Sequence, residues 1–140
     1  MPSRILHDPG SYHAGRQFHF VESAEEFQGL LEVFREVFDW EESEFPDSSY
    51  LANLLENPQF LVLVAEAENQ IVGGLTAYIL PGYQTKKSSI FIYDLGVATS
   101  FQWQGIGKSL IDKLLDYAKK AVTVRNRLVQ AYSDIMDMQV

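Results

Sequence analysis

Residues 90–120 constrain this chain more than any other stretch. A run of strand formers, Ile90-Phe91-Ile92-Tyr93-Asp94-Leu95-Gly96-Val97, passes through a polar link into Gln102-Trp103-Gln104-Gly105-Ile106-Gly107-Lys108. A helical pattern then takes over, with Leu110, Ile111, Leu114, Leu115 and Ala118 on one face. Strand, glycine loop and helix in that order suit an anion. Glycines let the backbone come close to a ligand, and the first-turn amides have no partner inside the helix. Two glycines at such a junction also serve a plain tight turn.

The spacing excludes two familiar phosphate loops. A Walker-type loop has four residues between its glycines, and here one residue separates Gly105 from Gly107, although Lys108-Ser109 follows. A dinucleotide fingerprint has three glycines in the first strand-to-helix turn of its unit, and only two are present here, far from the N-terminus.

Bulk properties narrow the class. A chain of 140 residues is expected to form one domain, residues 1–140, with residues 1–15 as an irregular lead-in rich in Pro and Gly. No apolar run approaches the ~20 residues of a membrane span, and the N-terminus lacks an apolar signal core, so a cytoplasmic protein without a membrane partner is expected. The absence of cysteine removes disulfides, thiolate ligands and an acyl-cysteine intermediate. A net charge of −8 argues against nucleic acid and suits a cationic small molecule. His7, His13 and His19 recur every six residues, but Pro and Gly between them break any shared face, so they read as surface histidines and no metal is expected.

Taken in order, Phe18 and Phe20 lie on one side of a strand over residues 16–21. Ser23-Ala24-Glu25-Glu26 is a capping box, and Phe27, Leu30, Leu31, Phe34 and Phe38 predict a helix over 24–38. The acidic, aromatic stretch 39–47 either borders an acceptor site or is a solvated connection. Asp47 caps a second helix over 50–56. Strands follow at 60–65 and 71–80, with Gly73-Gly74 marking a bulge or a close backbone approach. An antiparallel meander leading into strand, helix, strand is an α+β arrangement rather than a doubly wound sheet.

Gln102-x-x-Gly105-x-Gly107 after Leu95-x-Val97 resembles the acetyl-CoA loop of the GCN5-related N-acetyltransferases. Pro46-Asp47-Ser48-Ser49-Tyr50-Leu51, Val72-Gly73-Gly74-Leu75-Thr76-Ala77-Tyr78 and Ile92-Tyr93-Asp94-Leu95-Gly96-Val97 are similar to the aminoglycoside 3-N-acetyltransferase branch. The likeness covers about residues 24–120 and again 129–131. It implies a mixed, mostly antiparallel sheet flanked by helices, with acetyl-CoA as co-substrate. In that likeness Leu95 and Val97 pair with the pantetheine arm, and the amides of Gln104, Gly105, Ile106, Gly107 and Lys108 hold the pyrophosphate. Gln102 stands where relatives often have arginine, which loses a full charge. Asp94 would bind and deprotonate a primary amine; its structural alternative is an aspartate held at a strand bulge. Tyr93 alternates to the other face and is expected in the core.

The C-terminal part departs from the pattern. Arg127-Leu128-Val129-Gln130-Ala131-Tyr132 begins like the expected strand, but the last helix, with its tyrosine general acid, is missing. Tyr132 or solvent would then protonate the leaving thiolate. An uncovered strand at Leu128-Val129 suggests a homodimer. Two functions follow: direct acetyl transfer to an amine of a polycationic small molecule, or a degenerate relative that binds acetyl-CoA weakly or not at all and acts as a binding module.

Overall fold

The computed structural model describes residues 5–6, 15–40, 45–84 and 88–121. Its elements run β1 (Ile5–Leu6), β2 (Gln17–Phe20), α1 (Ala24–Val37), α2 (Ser48–Glu56), β3 (Phe60–Ala67), β4 (Gln70–Pro81), β5 (Ser88–Val97), a 3-10 turn (Thr99–Phe101) and α3 (Ile106–Ala121). The strands form one sheet in the order β1-β2-β3-β4-β5, antiparallel at every pairing among the described residues. This is the expected α+β architecture, an antiparallel sheet with helices on both faces. The strand expected at 127–132, Tyr132 and the stretch where a shortened end was expected all lie outside the described residues.

The helices start where their caps dictate. Ser23 Oγ accepts from the Glu26 amide at 3.2 Å, and Asp47 Oδ1 accepts from the Tyr50 amide at 2.9 Å. Each satisfies a donor that the first turn leaves without a partner. At the far end of α1, Asp39 takes a left-handed φ of 52°. The Trp40 N–H then returns to the Arg35 carbonyl at 3.2 Å, closing a left-handed C-cap.

Two apolar layers hold the sheet. Phe27, Leu30 and Phe34 of α1, with Leu51 of α2, pack on Phe60, Val62 and Val64. On the other face Ile106, Leu110 and Leu114 of α3 pack on Leu63, Ala65, Leu75 and Leu95. Because β3 and β4 are covered on both sides, they read as nearly continuous apolar runs. Helix α1 lies so close to β4 that a Cβ on Gly74 would stand 2.6 Å from Leu30 Cδ1 and 2.7 Å from the Leu63 carbonyl oxygen. The close approach expected at Gly73-Gly74 is therefore present. A bulge accompanies it: Ala65 faces Gly73 and Glu66 faces Ile71, so Val72 is the extra residue.

Two expectations about strands change. Ile5 and Leu6, inside the stretch read as irregular, pair with His19 and Phe18. A two-residue strand is too short for alternation to register in the sequence. The second change matters more. Thr76 faces Asp94 and Ala77 faces Ile92, leaving Tyr93 as an extra residue in β5. Ile90 and Ile92 before the bulge, and Leu95 and Val97 after it, all pack on the α3 side. Tyr93 and Asp94 therefore leave together from the α1 and α2 face. Tyr93, expected in the core, is 66% exposed, because a bulge interrupts the two-residue alternation on which that expectation rested.

Candidate active site

Three pieces converge around the end of β5. The first is the bulge. Asp94 stands opposite Thr76, half-buried, and burial raises its carboxyl above the ordinary aspartate value of 3.8. The next residues on its face are small or aromatic: a Cβ on Gly96 would lie 3.2 Å from the Phe34 ring. The carboxyl is thus neither buried in the core nor free in solvent.

The second piece is the outer edge of β5. The Ala98 N–H donates to the Val72 carbonyl at 2.7 Å, so it points toward β4. By the alternation of an antiparallel ladder, the N–H and C=O groups of Val97 and Leu95 point the other way. Among the described residues no strand pairs with that edge. These are the two residues expected to pair with an extended pantetheine arm.

The third piece is the glycine loop. Trp103 and Gly105 both adopt left-handed φ, 66° and 82°. Left-handed residues alternating with others curl successive N–H groups around one concavity, the usual form of a backbone anion cradle. The first intrahelical bond runs from Ser109 N–H to the Gly105 carbonyl at 3.0 Å. The amides of Ile106, Gly107 and Lys108 precede that ladder and keep their donors. Ile106 and Gly107 are buried, Ile106 with its side chain in the α3 core, while Gln104, Gly105 and Lys108 are exposed. Trp103 is strained for a non-glycine residue, and its ring is 76% exposed. These features fit a diphosphate held by main-chain donors.

Two side chains have roles that the sequence did not reveal. The Gln102 Nε2 donates to the Val97 carbonyl at 3.0 Å. Its amide group thus holds the end of β5 rather than standing in for an arginine at the cradle. Arg16, at the start of β2, reaches the glycine loop: its guanidinium donates to the Gln104 carbonyl at 3.3 Å and to Gln104 Oε1. A positive charge therefore lies beside the cradle after all, supplied from the opposite end of the chain. A separation of 88 residues left no local signal for it.

The histidines need a correction. His7 and His13 lie outside the described residues. His19 is not on the surface: it is 6% exposed, with Nε2 2.5 Å from Glu26 Oε2 and 3.6 Å from Glu66 Oε1. Its carboxylate partners come from α1 and β3, so no local spacing could have disclosed them. Ligand atoms of the three residues lie within 4.8 Å of one another. The shorter contact is a hydrogen-bond distance, and the group ties β2 to its two neighbouring elements.

The acidic connection is described only in part. Trp40 packs its ring on Phe34 and Phe38 at 6.0 and 5.7 Å, and the Arg35 guanidinium lies 3.8 Å from the Phe45 ring centre. The described ends of this stretch are anchored to α1. Its middle, residues 41–44, lies outside the described residues.

A strand bulge beside a half-buried carboxyl, an outward strand edge and a left-handed glycine loop follow one another along β5 and into α3, in the order the sequence leads one to expect. Residues 24–134 match the acetyltransferase (GNAT) family. The chain belongs to that family. The GNAT chain is also similar to a solved aminoglycoside acetyltransferase from an uncultured soil metagenomic sample. Against that protein's complex with sisomicin the identity is 37% and the TM-score 0.75, covering 78% of this chain and 73% of that one. Against its complex with trehalose the identity is 35% and the TM-score 0.77, covering 89% and 86%. The L-2,4-diaminobutyric acid acetyltransferase of Shouchella clausii (strain KSM-K16) is 35% identical over 77 residues, which cover 49% of this GNAT chain. The match spans only 42% of that enzyme's length. Among the described residues no helix is long and apolar enough to cross a membrane.

Proposed function

We propose that this GNAT chain is an acetyl-CoA-dependent N-acetyltransferase acting on a primary amine of a cationic small molecule of the aminoglycoside kind. The observation that carries the reading is the β5 bulge, which sets the Asp94 carboxyl one residue before the outward amide of Leu95. Base and carbonyl donor are thereby supplied from adjacent positions of one strand.

When bound, acetyl-CoA supplies the acetyl group as an activated thioester. The amides of Gln104, Gly105, Ile106, Gly107 and Lys108, with Arg16 alongside, would hold its diphosphate. Leu95 and Val97 would pair with its extended arm. Asp94 binds the incoming ammonium and takes its proton, directly or through one water, freeing the lone pair for attack. The outward N–H of Leu95 or of Val97 donates toward the carbonyl oxygen as negative charge gathers there. The C–N bond forms and the C–S bond breaks; the nitrogen then gives up its second proton to solvent, and the departing sulfur takes up a proton, for which Tyr132 is the candidate donor. No step of this sequence calls on a metal.

The reading takes residues 1–140 as one catalytic domain of a cytoplasmic homodimer, in which the C-terminal segments expected as strands or helices cover each other. A solution mass equal to one chain, 15.9 kDa, would count against the dimer. The decisive experiment is a thermal shift with acetyl-CoA, followed by thiol release in the presence of sisomicin. A ligand that binds only the folded form must raise the midpoint. No shift at millimolar acetyl-CoA, together with no thiol release, would instead favour the degenerate binding module.

A further inference from the structure

The face that carries Asp94 is unusually aromatic. Phe60 faces Tyr78 and Tyr78 faces Phe91, giving a cross-strand row over β3, β4 and β5. The Phe60 and Tyr78 rings lie 4.9 Å apart, and Tyr93 meets Tyr78 edge-on at 6.1 Å. Burial falls along the row. Phe60 is covered, Tyr78 is half-buried, and Phe91 and Tyr93 are 57% and 66% exposed. Single exposed apolar residues need no explanation. Two exposed aromatic residues on one face, one of them meeting the half-buried Tyr78 ring edge-on and standing next to a half-buried carboxyl, make a shaped surface with one charge at its edge.

That combination suits one kind of acceptor. A saturated ring presents a flat C–H face to an aromatic plane, while an ammonium on the same ring takes the carboxylate and the negative faces of the rings. A linear diamino acid offers no such face and brings a carboxylate of its own. Thr76, Tyr78, Phe91, Tyr93 and Gly96 supply no cation to receive it. We propose that Tyr93, backed by Tyr78 and flanked by Phe91, is the platform on which an amine-bearing sugar or cyclitol ring lies with one amino group directed to Asp94. Tyr93 thereby selects cyclic over linear amines. This inference rests on the acetyltransferase reading above.

The test compares sisomicin with 2,4-diaminobutyrate as acceptors for the wild type, Tyr93→Ala and Tyr93→Phe. The ratio of kcat/KM for the two should favour sisomicin in the wild type. It should fall roughly tenfold in Tyr93→Ala, mainly through the KM for sisomicin, and recover in Tyr93→Phe, which keeps the ring. A ratio that Tyr93→Ala leaves unchanged overturns the proposal. So does a wild type that acetylates diaminobutyrate and ignores sisomicin. If no amine is acetylated and acetyl-CoA does not bind, the acetyltransferase reading itself fails. Saturation-transfer NMR with glucosamine then decides the platform: transfer to its ring protons that disappears in Tyr93→Ala supports it, and absence of transfer overturns it. If Tyr93→Ala converts a dimer to a monomer, the rings belong to a subunit interface, and the platform is likewise overturned.

Discussion

Tyr93 and Asp94 are consecutive in β5, yet both side chains leave the sheet on the face covered by α1 and α2. In a regular strand one of them would enter the α3 core. The extra residue at the bulge brings an aromatic ring and a carboxyl side by side and returns Leu95 and Val97 to the α3 layer. One local irregularity thus sets the proposed base, the ring beside it and the outward amides that follow.

Replacing Asp94 with Asn keeps the shape of the bulge and removes the proposed base. Turnover should fall by about two to three orders of magnitude, the usual worth of a positioned base, while acetyl-CoA affinity stays near the wild-type value. The wild-type kcat/KM should rise with pH through the raised Asp94 pKa, and the Asn variant should lack that rise. Steady-state kinetics across pH, with calorimetric binding of acetyl-CoA, check both parts. Equal loss of affinity and turnover would remove Asp94 from the base role.

The same carboxyl has a cost for folding whose sign is fixed. Burial raises its pKa above the ordinary 3.8, so between that value and the raised one the native form holds a proton that the unfolded chain has released. The stability that this group contributes is therefore present below 3.8 and lost as pH rises through the folded-state pKa. Asp94→Asn should be more stable than the wild type above that window and gain nothing below it. Denaturant midpoints on either side of the window measure this.

Gly105 has a φ of 82°, where a side chain costs about 1 kcal/mol. Gly105→Ala should lose about that much stability and place a methyl group at the cradle, raising the KM for acetyl-CoA by about tenfold or more with little change for the amine. Trp103→Gly, at a φ of 66°, should relieve strain and raise stability by up to about 1 kcal/mol. Thermal denaturation of the two variants separates these opposite signs.

Gly74→Ala tests the packing of α1 on β4. Its methyl would lie 2.7 Å from the Leu63 carbonyl oxygen, which is backbone and cannot turn aside as Leu30 Cδ1 can. A loss of about 1–3 kcal/mol is expected, read from urea unfolding. A neutral result would mean that the β3 backbone at Leu63 gives way to the methyl without loss of packing.

Much of this architecture is written in local patterns. Ser23 and Asp47 marked the two helix starts, Gly73-Gly74 marked the close approach of α1, and the apolar stripe from Leu110 to Ala118 marked the helix that covers the second face. The bulge was also encoded: it is the structural alternative for Asp94, and the structure does place that residue at one, though the expectation for Tyr93 left it out of account. Apolar residues fall at 90 and 92, then at 95 and 97, a change of parity that a regular strand cannot accommodate. Arg16 against Gln104, Gln102 against Val97 and His19 between Glu26 and Glu66 had no such trace. Each depends on where tertiary packing brings a long polar side chain, and sequence period says nothing about that.

The guanidinium that reaches from the start of β2 to Gln104 has a practical meaning for anyone shortening or fusing this polypeptide. Cutting back into Arg16, which also takes β1, or attaching a bulky tag beside it, would unfasten a brace of the glycine turn 88 positions downstream, and Arg16→Ala isolates that brace from the strand. Weakened thioester binding after such surgery would then report a lost tether, with every residue of the turn itself unaltered.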